Sequence, residues 1–280
     1  MSQLGEHHFL GGRSESNGLI YSLRGGFIDI GHLRDVADWT AYLYTYMLSD
    51  KLKEFPELKL AYEGGKKVLI LNPNSDLDTL NCLLVAGKIA YDLSYWHELS
   101  TWFGASAVPM LPERYSTLSV EDVYSNLLGM YIGMEAVKSP LPYNTAMTKL
   151  IDSALVELEA VKTEEDTYTA LDRVRNFWWS NDKRLPNQKV LIERDTITHT
   201  RSIPWLIPDL SYGAPKPHIL NVPITTTSGQ LLTNYYQLCI DLNHKFPVKE
   251  LFPGRENRLI TQDDFRIILD RIAFDLLDQN

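Results

Sequence analysis

The chain has 280 residues, of which 44% are hydrophobic and 22% are charged, an ordinary balance for a folded globular protein. Its formal net charge is −9, and it contains no concentrated block of basic residues. Nucleic acid and anionic membranes are therefore not expected partners, because phosphate binding needs a concentrated positive face. The longest apolar run is shorter than the ~20 residues that cross a bilayer, so we expect no transmembrane segment.

The first part of the chain predicts an arm, a helix, a hairpin and a longer helix. Residues 1–18 are polar and rich in Gly and Ser, which predicts a flexible arm. Helical spacing of apolar residues begins at about Gly31. Two short apolar runs around Gly64 predict a β-hairpin, and a long helix is predicted from about Asp76 to Phe103.

In the second part of the chain, another predicted helix comes first, and the amino-acid composition changes further along. Ser119 and Asp122 form a start signal for a helix that runs to about Val137. Further helices are predicted for "NTAMTKLIDSALVELEAV", "TYTALDRVRNFWWSN", "GQLLTNYYQLCIDLNHKF" and "TQDDFRIILDRIAFDLL". Between them, residues 185–223 are rich in proline and in β-forming residues.

These elements predict an α+β fold that is predominantly α-helical. We expect a helical core with a hairpin over residues 19–182, followed by a β-rich segment and C-terminal helices over 183–280, packed as one unit. Cys82 and Cys239 both lie in apolar runs and are expected to be buried thiols; whether they pair is open. No C-x-x-C pair occurs, which excludes a cysteine zinc site on spacing.

The segment "YWHELSTWFG" raises the question of metal binding. His97 and Glu98 begin like the zinc-peptidase motif H-E-x-x-H, but Thr101 stands where the second histidine would be. The residues one and two turns before His97 are small or apolar, so its ring is expected to point inward. A core histidine that bonds a carbonyl or carboxylate is the alternative.

Two other predicted helices carry polar groups on inward faces. His32 lies in a first helical turn, with Asp35 beside it. Further along, Asp122 and Asn126 share a helical stripe with two glycines, Gly129 and Gly133. Because each interior glycine costs a helix ~1 kcal/mol, such a stripe favours close contact with another backbone, which would carry the polar groups inward.

Together these residues predict a site between three helices that holds a divalent metal such as zinc. His32, His97 and Asp122 are the expected ligands, and Glu98 is the expected proton acceptor. Supporting residues are Asp35, Glu121, Asn126 and Thr101. The chain would then be a metal-dependent hydrolase acting on a small molecule, a peptide or a cell-wall component. The alternative is a non-catalytic binding or scaffold protein, in which the same groups form a buried hydrogen-bond network.

Other chemistries have less support in the sequence. No phosphate-binding glycine motif occurs, so no nucleotide cofactor is expected, and no serine nucleophile motif is present. Paired-carboxylate glycosidase chemistry stays open, with Glu98 facing Glu121 or Asp122. Trp96, Trp102, Trp178 and Trp179 either line a sugar groove or belong to the core.

Three segments resemble the uncharacterised bacterial domain-of-unknown-function family 4056. They are "GLIYSLRGGFIDIGHLRDVADWTAYL", "YDLSYWHELSTWFGAS" and "STLSVEDVYSNLLGMYIG". The family's members look like envelope proteins or lipoproteins with a cleaved signal. The resemblance therefore implies a bacterial protein of the periplasm or cell envelope whose signal has been removed, with the cytoplasm as the alternative. It carries no assigned activity.

Overall fold

The computed structural model describes residues 4–72, 77–105, 113–180, 190–192, 194, 200–210 and 216–277. The α-helices within them are α1 (Ile30–Met47), α2 (Lys51–Glu54), α3 (Thr79–Trp102), α4 (Val120–Lys138), α5 (Tyr143–Glu157), α6 (Glu164–Arg173), α7 (Val248–Leu251) and α8 (Phe265–Leu277). The strands are β1 (Leu19–Ser22), β2 (Gly26–Asp29), β3 (Glu57–Leu60), β4 (Gly65–Leu71), β5 (Trp179–Ser180), β6 (Val190–Leu191), β7 (Arg201–Ser202), β8 (Leu220–Asn221), β9 (Tyr236–Leu242) and β10 (Leu259–Ile260).

This architecture confirms the predicted α+β class dominated by helices. The strands pair antiparallel in one four-stranded sheet of order β10-β9-β4-β3 and in the two-stranded pairs β1-β2, β5-β6 and β7-β8. Across the part of the chain that is described, no helix is both long and apolar enough to span a membrane. The domain boundary expected near residue 182 lies outside the described residues.

Helix α3 lies at the centre of the main hydrophobic core. Ile89, Trp96 and Leu99 are completely buried, and they belong to one cluster with Leu69 of β4 and Ile240 of β9. The helix also contacts α1, α4 and α8. Since α3 is apolar around most of its circumference, it is buried on several sides, as such helices are in globular proteins.

The glycine stripe of α4 lies directly against α1, as the sequence predicts. A Cβ atom added at Gly129 would lie 2.1 Å from the carbonyl oxygen of Leu33, and one at Gly133 would lie 2.7 Å from the Cα of Ala37. Neither position therefore tolerates a side chain unless the helices move apart. This close contact places the polar residues of the same stripe, which precede the glycines, at the start of α1.

The helix predicted for "GQLLTNYYQLCIDLNHKF" is wrong, because the segment contains strand β9. Its residues alternate along the strand: Tyr236, Leu238 and Ile240 are buried, whereas Gln237 and Asp241 are exposed. This period of two fits a half-buried strand better than a helix. The strand is then held on both sides, by β4 and by β10.

The N-terminal segment, for which a flexible arm is predicted, is hydrogen-bonded to helices α1 and α5 in its described part. The backbone N–H of His7 donates to the hydroxyl of Thr148 at 2.9 Å, and that of Leu10 donates to the carboxylate of Asp38 at 2.7 Å. Cys82 and Cys239 are both free thiols, the first buried and the second partly buried.

Candidate metal centre

Helices α1 and α4 begin at the same place, and their first turns build the site. Asp29 caps α1, with its Oδ1 accepting the backbone N–H of His32 at 3.0 Å. Ser119 caps α4, with its hydroxyl accepting the backbone N–H of Asp122 at 3.1 Å. The hydroxyl of Ser125 accepts the N–H of Asp29 at 2.8 Å and so ties the two starts together. Both helices present their side chains to one shared space.

Asp29, His32 and Asp122 are placed so that they could hold one metal ion, and we call this group of three side chains the metal cluster. Each offers one ligand atom, and these three atoms all lie within 4.8 Å of one another. The ring of His32 points its Nε2 toward Oδ1 of Asp122, at 3.8 Å. Its Nδ1 lies 3.2 Å from Oδ1 of Asn126. When Nδ1–H donates to that amide oxygen, the lone pair of Nε2 faces Asp122.

His97 lies beside this cluster and is held by a different carboxylate. Its Nδ1 lies 2.5 Å from Oε1 of Glu63, and Nζ of Lys67 lies 2.5 Å from Oε2 of the same residue. Its ring centre lies 6.4 Å from that of His32. The structure thus brings His32 and Asp122 together, with Asp29 as the third member of the metal cluster. His97, which was also expected as a ligand, lies beside this group and pairs with Glu63.

A cavity of about 270 Å³ opens beside the two imidazoles. His32, His97 and Asn126 border it, as do Glu63 and Lys67. The side chains of His32 and His97 are 33% and 35% exposed, so both rings reach solvent within this space. Small side chains on the α3 stripe, Ala90 and Ser94, also border the cavity and leave room above His97.

Glu98 points away from the cavity, to the segment that precedes α4. Its residue is 3% exposed, and Oε2 accepts the backbone N–H of Leu118 at 2.6 Å. Thr101 lies one turn along, and its hydroxyl pairs with that of Thr117 at 2.9 Å. Both residues therefore hold the chain just before α4 and so help to position Asp122.

The two remaining supporting residues lie on either side of the site. Asp35 borders the cavity one turn after His32; its side chain is solvent-exposed, and partial desolvation at the cavity edge raises the pKa of its carboxyl. Glu121 borders a separate small cavity together with Phe27 and Trp178. Asp35 thus faces the space next to His32. Glu121 lies outside this space, and its charge raises the pKa of Asp122.

The metal cluster has more negative than positive charge, and this shifts the pKa of its members. Burial lowers the pKa of His32, but the carboxylates of Asp122, Glu98 and Asp29 outweigh it and raise the value to about 9. Burial raises the pKa of Asp122 well above its ordinary value, and the nearby Glu98 adds to this rise. Several carboxylates around one imidazole hold protons tightly, and the same excess charge attracts a cation.

The Glu63–His97 pair shifts in the direction expected for an ion pair. Burial lowers the pKa of His97, but its hydrogen bond with Glu63 and the charge of Glu98 raise it above the ordinary value. Burial raises the pKa of Glu63, but the bond from His97 and the charge of Lys67 lower it overall. Glu63 therefore stays ionised and fixes the orientation of the His97 ring.

Sequence reasoning missed Asp29 and Glu63, for different reasons. Asp29 carries a local signal: it directly precedes the first helical residue and lies three residues before His32, the position of an N-cap. Glu63 lies in the turn of the β3-β4 hairpin, 34 positions before His97. No local pattern connects it with α3.

The tryptophans considered as a sugar platform are largely buried. Trp96, Trp102 and Trp179 are 0%, 4% and 8% exposed, which favours the core interpretation for these three. Trp96 stacks on Phe246 and Phe265 within that core.

Comparison with known proteins identifies the family of the chain and no function. The family model described as "Protein of unknown function (DUF4056)" matches residues 2–208, which include α1, α3 and α4 with all the site residues described above. No curated protein and no solved structure matches the chain. The family model matches more than half of the sequence, and the chain therefore belongs to the DUF4056 family.

Proposed function

We propose that this chain is a metal-dependent hydrolase whose metal is held by Asp29, His32 and Asp122. One observation carries the proposal: the three ligand atoms lie within 4.8 Å of one another, next to a cavity of about 270 Å³. A set of two carboxylates and one imidazole suits Zn²⁺ or Mn²⁺. Three protein ligands also leave coordination positions for water and substrate.

The distance between His32 and Asp122 supports this assignment. Nε2 and Oδ1 are 3.8 Å apart, too far for a hydrogen bond. Two ligand atoms that each lie ~2.1 Å from a tetrahedral zinc ion are ~3.4 Å apart, so a shift of a few tenths of an ångström lets both atoms reach one ion. The bond from Nδ1 of His32 to Asn126 supplies the outer hydrogen bond that metal-binding histidines ordinarily make.

His97 is the residue that we assign to proton transfer. In the neutral form of the ring, with Nδ1–H donating to Glu63, Nε2 carries a lone pair and can take a proton from a water molecule in the cavity. Glu63 stabilises the imidazolium that forms, and Lys67 holds Glu63 in place. Glu98, the acceptor expected from the H-E pattern, instead has its carboxylate on the backbone of Leu118.

The second candidate is a non-catalytic binding protein, favoured by the bonds that the polar groups already make. His32 bonds Asn126, and Asp29 caps α1, so part of the cluster is satisfied without a ligand. A structural network of this kind is expected to be closed to solvent. The open cavity beside both imidazoles favours the hydrolase over the network.

Metal uptake is the test of the proposed centre. Protein purified without chelator is analysed for bound metals, then stripped and titrated with Zn²⁺ and Mn²⁺ by calorimetry. We expect one ion per chain in wild type, and its loss in His32→Ala. Glu121→Gln is the matched control, because it removes a neighbouring carboxylate that lies outside the metal cluster. A wild-type protein that takes up neither ion contradicts the proposal.

Hydrolysis is tested separately, on the metal-loaded protein. His97→Gln should retain the ion but lose most of its turnover of ester, amide or glycoside substrates, since general acid–base catalysis contributes ~10²–10⁴-fold. A protein that binds the ion and turns over none of these classes would be a metal-binding protein rather than a hydrolase.

The cell envelope is the proposed location, as the family resemblance implies. Fractionation of bacterial cells that express the full-length gene tests this placement, with a periplasmic and a cytoplasmic marker as controls. Recovery of the protein with the cytoplasmic marker would overturn the placement without affecting the metal centre.

A further inference from the structure

One stripe of α1 carries aromatic rings on the surface, where a helix of a globular protein ordinarily carries charged side chains. Trp39 and Tyr42 are each 40% exposed, and Tyr46 is partly exposed. We call these three residues the aromatic row. Their spacing of three and four positions places them next to one another on a single helix face. The row is therefore a continuous surface rather than a set of scattered exposed residues.

The rings of the aromatic row hold one another in place. The ring centres of Trp39 and Tyr42 are 5.8 Å apart, with the planes at 88°. Those of Tyr42 and Tyr46 are 6.2 Å apart and nearly parallel, at 28°. The hydroxyl of Tyr46 also donates to the carbonyl oxygen of Phe55 at 2.6 Å. A surface whose rings are already fixed loses little conformational entropy when a ligand binds.

The aromatic row continues directly from the metal cluster. His32 and Asp35 precede Trp39 on the same stripe of α1, and Trp39 forms part of the wall of the cavity beside the imidazoles. Tyr42 borders a second, larger groove of about 630 Å³, which lies toward the start of α5. From His32 to Tyr46 the helix rises ~21 Å. An extended ligand could therefore lie along the row with one end at the metal cluster.

We propose that the aromatic row binds an oligosaccharide chain and that this chain is the substrate class of the site. The inference rests on the proposed function, because it names what the metal centre acts on. Aromatic ring faces pack against the C–H faces of sugar rings. Along the second groove, the oxygens of Ser139 and Asn144 accept the N–H groups of Leu141 and Phe9, which leaves the Ser139 O–H and the Asn144 NH2 as donors toward sugar hydroxyls.

Charge and shape favour this occupant over others. The net charge of −9 and the carboxylate of Asp35 beside the row disfavour polymers rich in phosphate. The row is one helical stripe wide, and the groove beside Tyr42 combines the apolar side chains of Leu141 and Pro142 with the polar ones of Thr45, Ser139 and Asn144, a mixed lining that suits a sugar chain. A stable protein partner would instead cover a broad face of ~800 Å².

Calorimetric titration with neutral tetrasaccharides tests the inference, using cellotetraose and the tetramer of N-acetylglucosamine as probes. We expect wild type to bind at least one of them and Trp39→Ala to bind it roughly tenfold more weakly, the effect of losing one aromatic contact. Tyr42→Phe keeps the ring and should retain the affinity. Tyr168→Ala removes an exposed aromatic residue of α6 and serves as the matched control.

The same variants are titrated with Zn²⁺, which separates the two proposals. Sugar binding that weakens in Trp39→Ala while Zn²⁺ binding is unchanged supports the aromatic row. Sugar binding without any uptake of metal would support the aromatic row as a sugar-binding surface and overturn the proposal of a metal-dependent hydrolase. Failure of wild type to bind either probe, or equal binding by Trp39→Ala, overturns the row. Self-association of wild type that Trp39→Ala abolishes would also overturn it, because the occupant would then be a second copy.

Discussion

Two clusters on α1 each combine a histidine with carboxylates, yet only one has the geometry of a metal site. In the closed cluster, His7 is 1% exposed and lies between Asp38, 3.0 Å from Nε2, and Glu15, 3.4 Å from Nδ1. In the metal cluster, Nε2 of His32 lies 3.8 Å from Asp122, beside an open cavity. The carboxylates of the closed cluster flank opposite ring nitrogens, so they cannot meet at one ion.

The carboxylates of the closed cluster also accept several further hydrogen bonds. Asp38 accepts the backbone N–H of Leu10 and the hydroxyl of Tyr143, and Glu15 accepts the N–H groups of His8 and Gly12. These bonds attach the N-terminal segment to α1 and α5. Composition alone therefore does not distinguish a structural histidine from a ligand. The difference lies in where the lone pairs point and in access to solvent.

The largest effect on stability is expected for Asp38→Ala in the closed cluster. Removing one partner from a buried charged network leaves the others uncompensated, which costs about 3–5 kcal/mol. Asp35→Ala is the matched control on the same helix, because Asp35 is exposed and should change stability little. The free energy of unfolding from urea denaturation is the measurement. Equal stability of the two variants would contradict the assigned role of the closed cluster.

Asp122→Asn should separate metal binding from stability. We expect the affinity for Zn²⁺ to fall at least about 100-fold, equivalent to ~2.7 kcal/mol, because a charged ligand is lost. The stability of the metal-free protein should change by less than about 1 kcal/mol, since the substitution also relieves repulsion from Glu98 and Glu121. Calorimetry and urea denaturation of the same preparation measure both. An unchanged affinity for Zn²⁺ would show that Asp122 is not a metal ligand.

Gly129→Ala tests whether the packing of α1 against α4 assembles the metal cluster. The added methyl group would meet the Leu33 carbonyl oxygen, so we expect a loss of ~1–3 kcal/mol and weaker metal binding. Gly87→Ala on α3 is the control: its methyl group would meet the flexible side chain of Met130 at 3.0 Å. Stability that is equal in both variants would show that the close contact is not required.

The two clusters are expected to lose stability at opposite ends of the pH range. Burial raises the pKa of Glu15, but the N–H groups of His8 and Gly12 lower it overall, below 4.5. Its stabilisation is thus present above pH 4.5 and lost as the pH falls through the folded value. The pKa of His32 is raised from 6.5 to about 9, so its contribution is complete below pH 6.5 and lost as the pH rises through 9.

Denaturation of chelator-treated protein at a series of pH values measures these contributions. Glu15→Gln should flatten the acidic side of the stability profile and leave the alkaline side unchanged, whereas His32→Asn should do the reverse. If both variants keep the wild-type slopes, neither group titrates as described.

The helices whose signals are local could be predicted from the amino-acid sequence. Helical spacing and capping residues are sufficient to predict α1, α3 and α4, because these helices satisfy their own backbone hydrogen bonds. The stripe of Asp122, Asn126, Gly129 and Gly133 also predicted a close helix contact, since interior glycines are costly unless something packs against them.

Which polar groups meet depends on contacts between elements that are distant in the chain. Strand β9 depends on hydrogen bonds from β4 and β10, which come from distant parts of the chain. Glu63 reaches His97 because the β3-β4 hairpin folds against α3, and Asp29 joins the metal cluster because two helix starts coincide. Distances of a few ångströms between separate elements distinguish the open metal cluster from the closed one, and no local pattern encodes such distances.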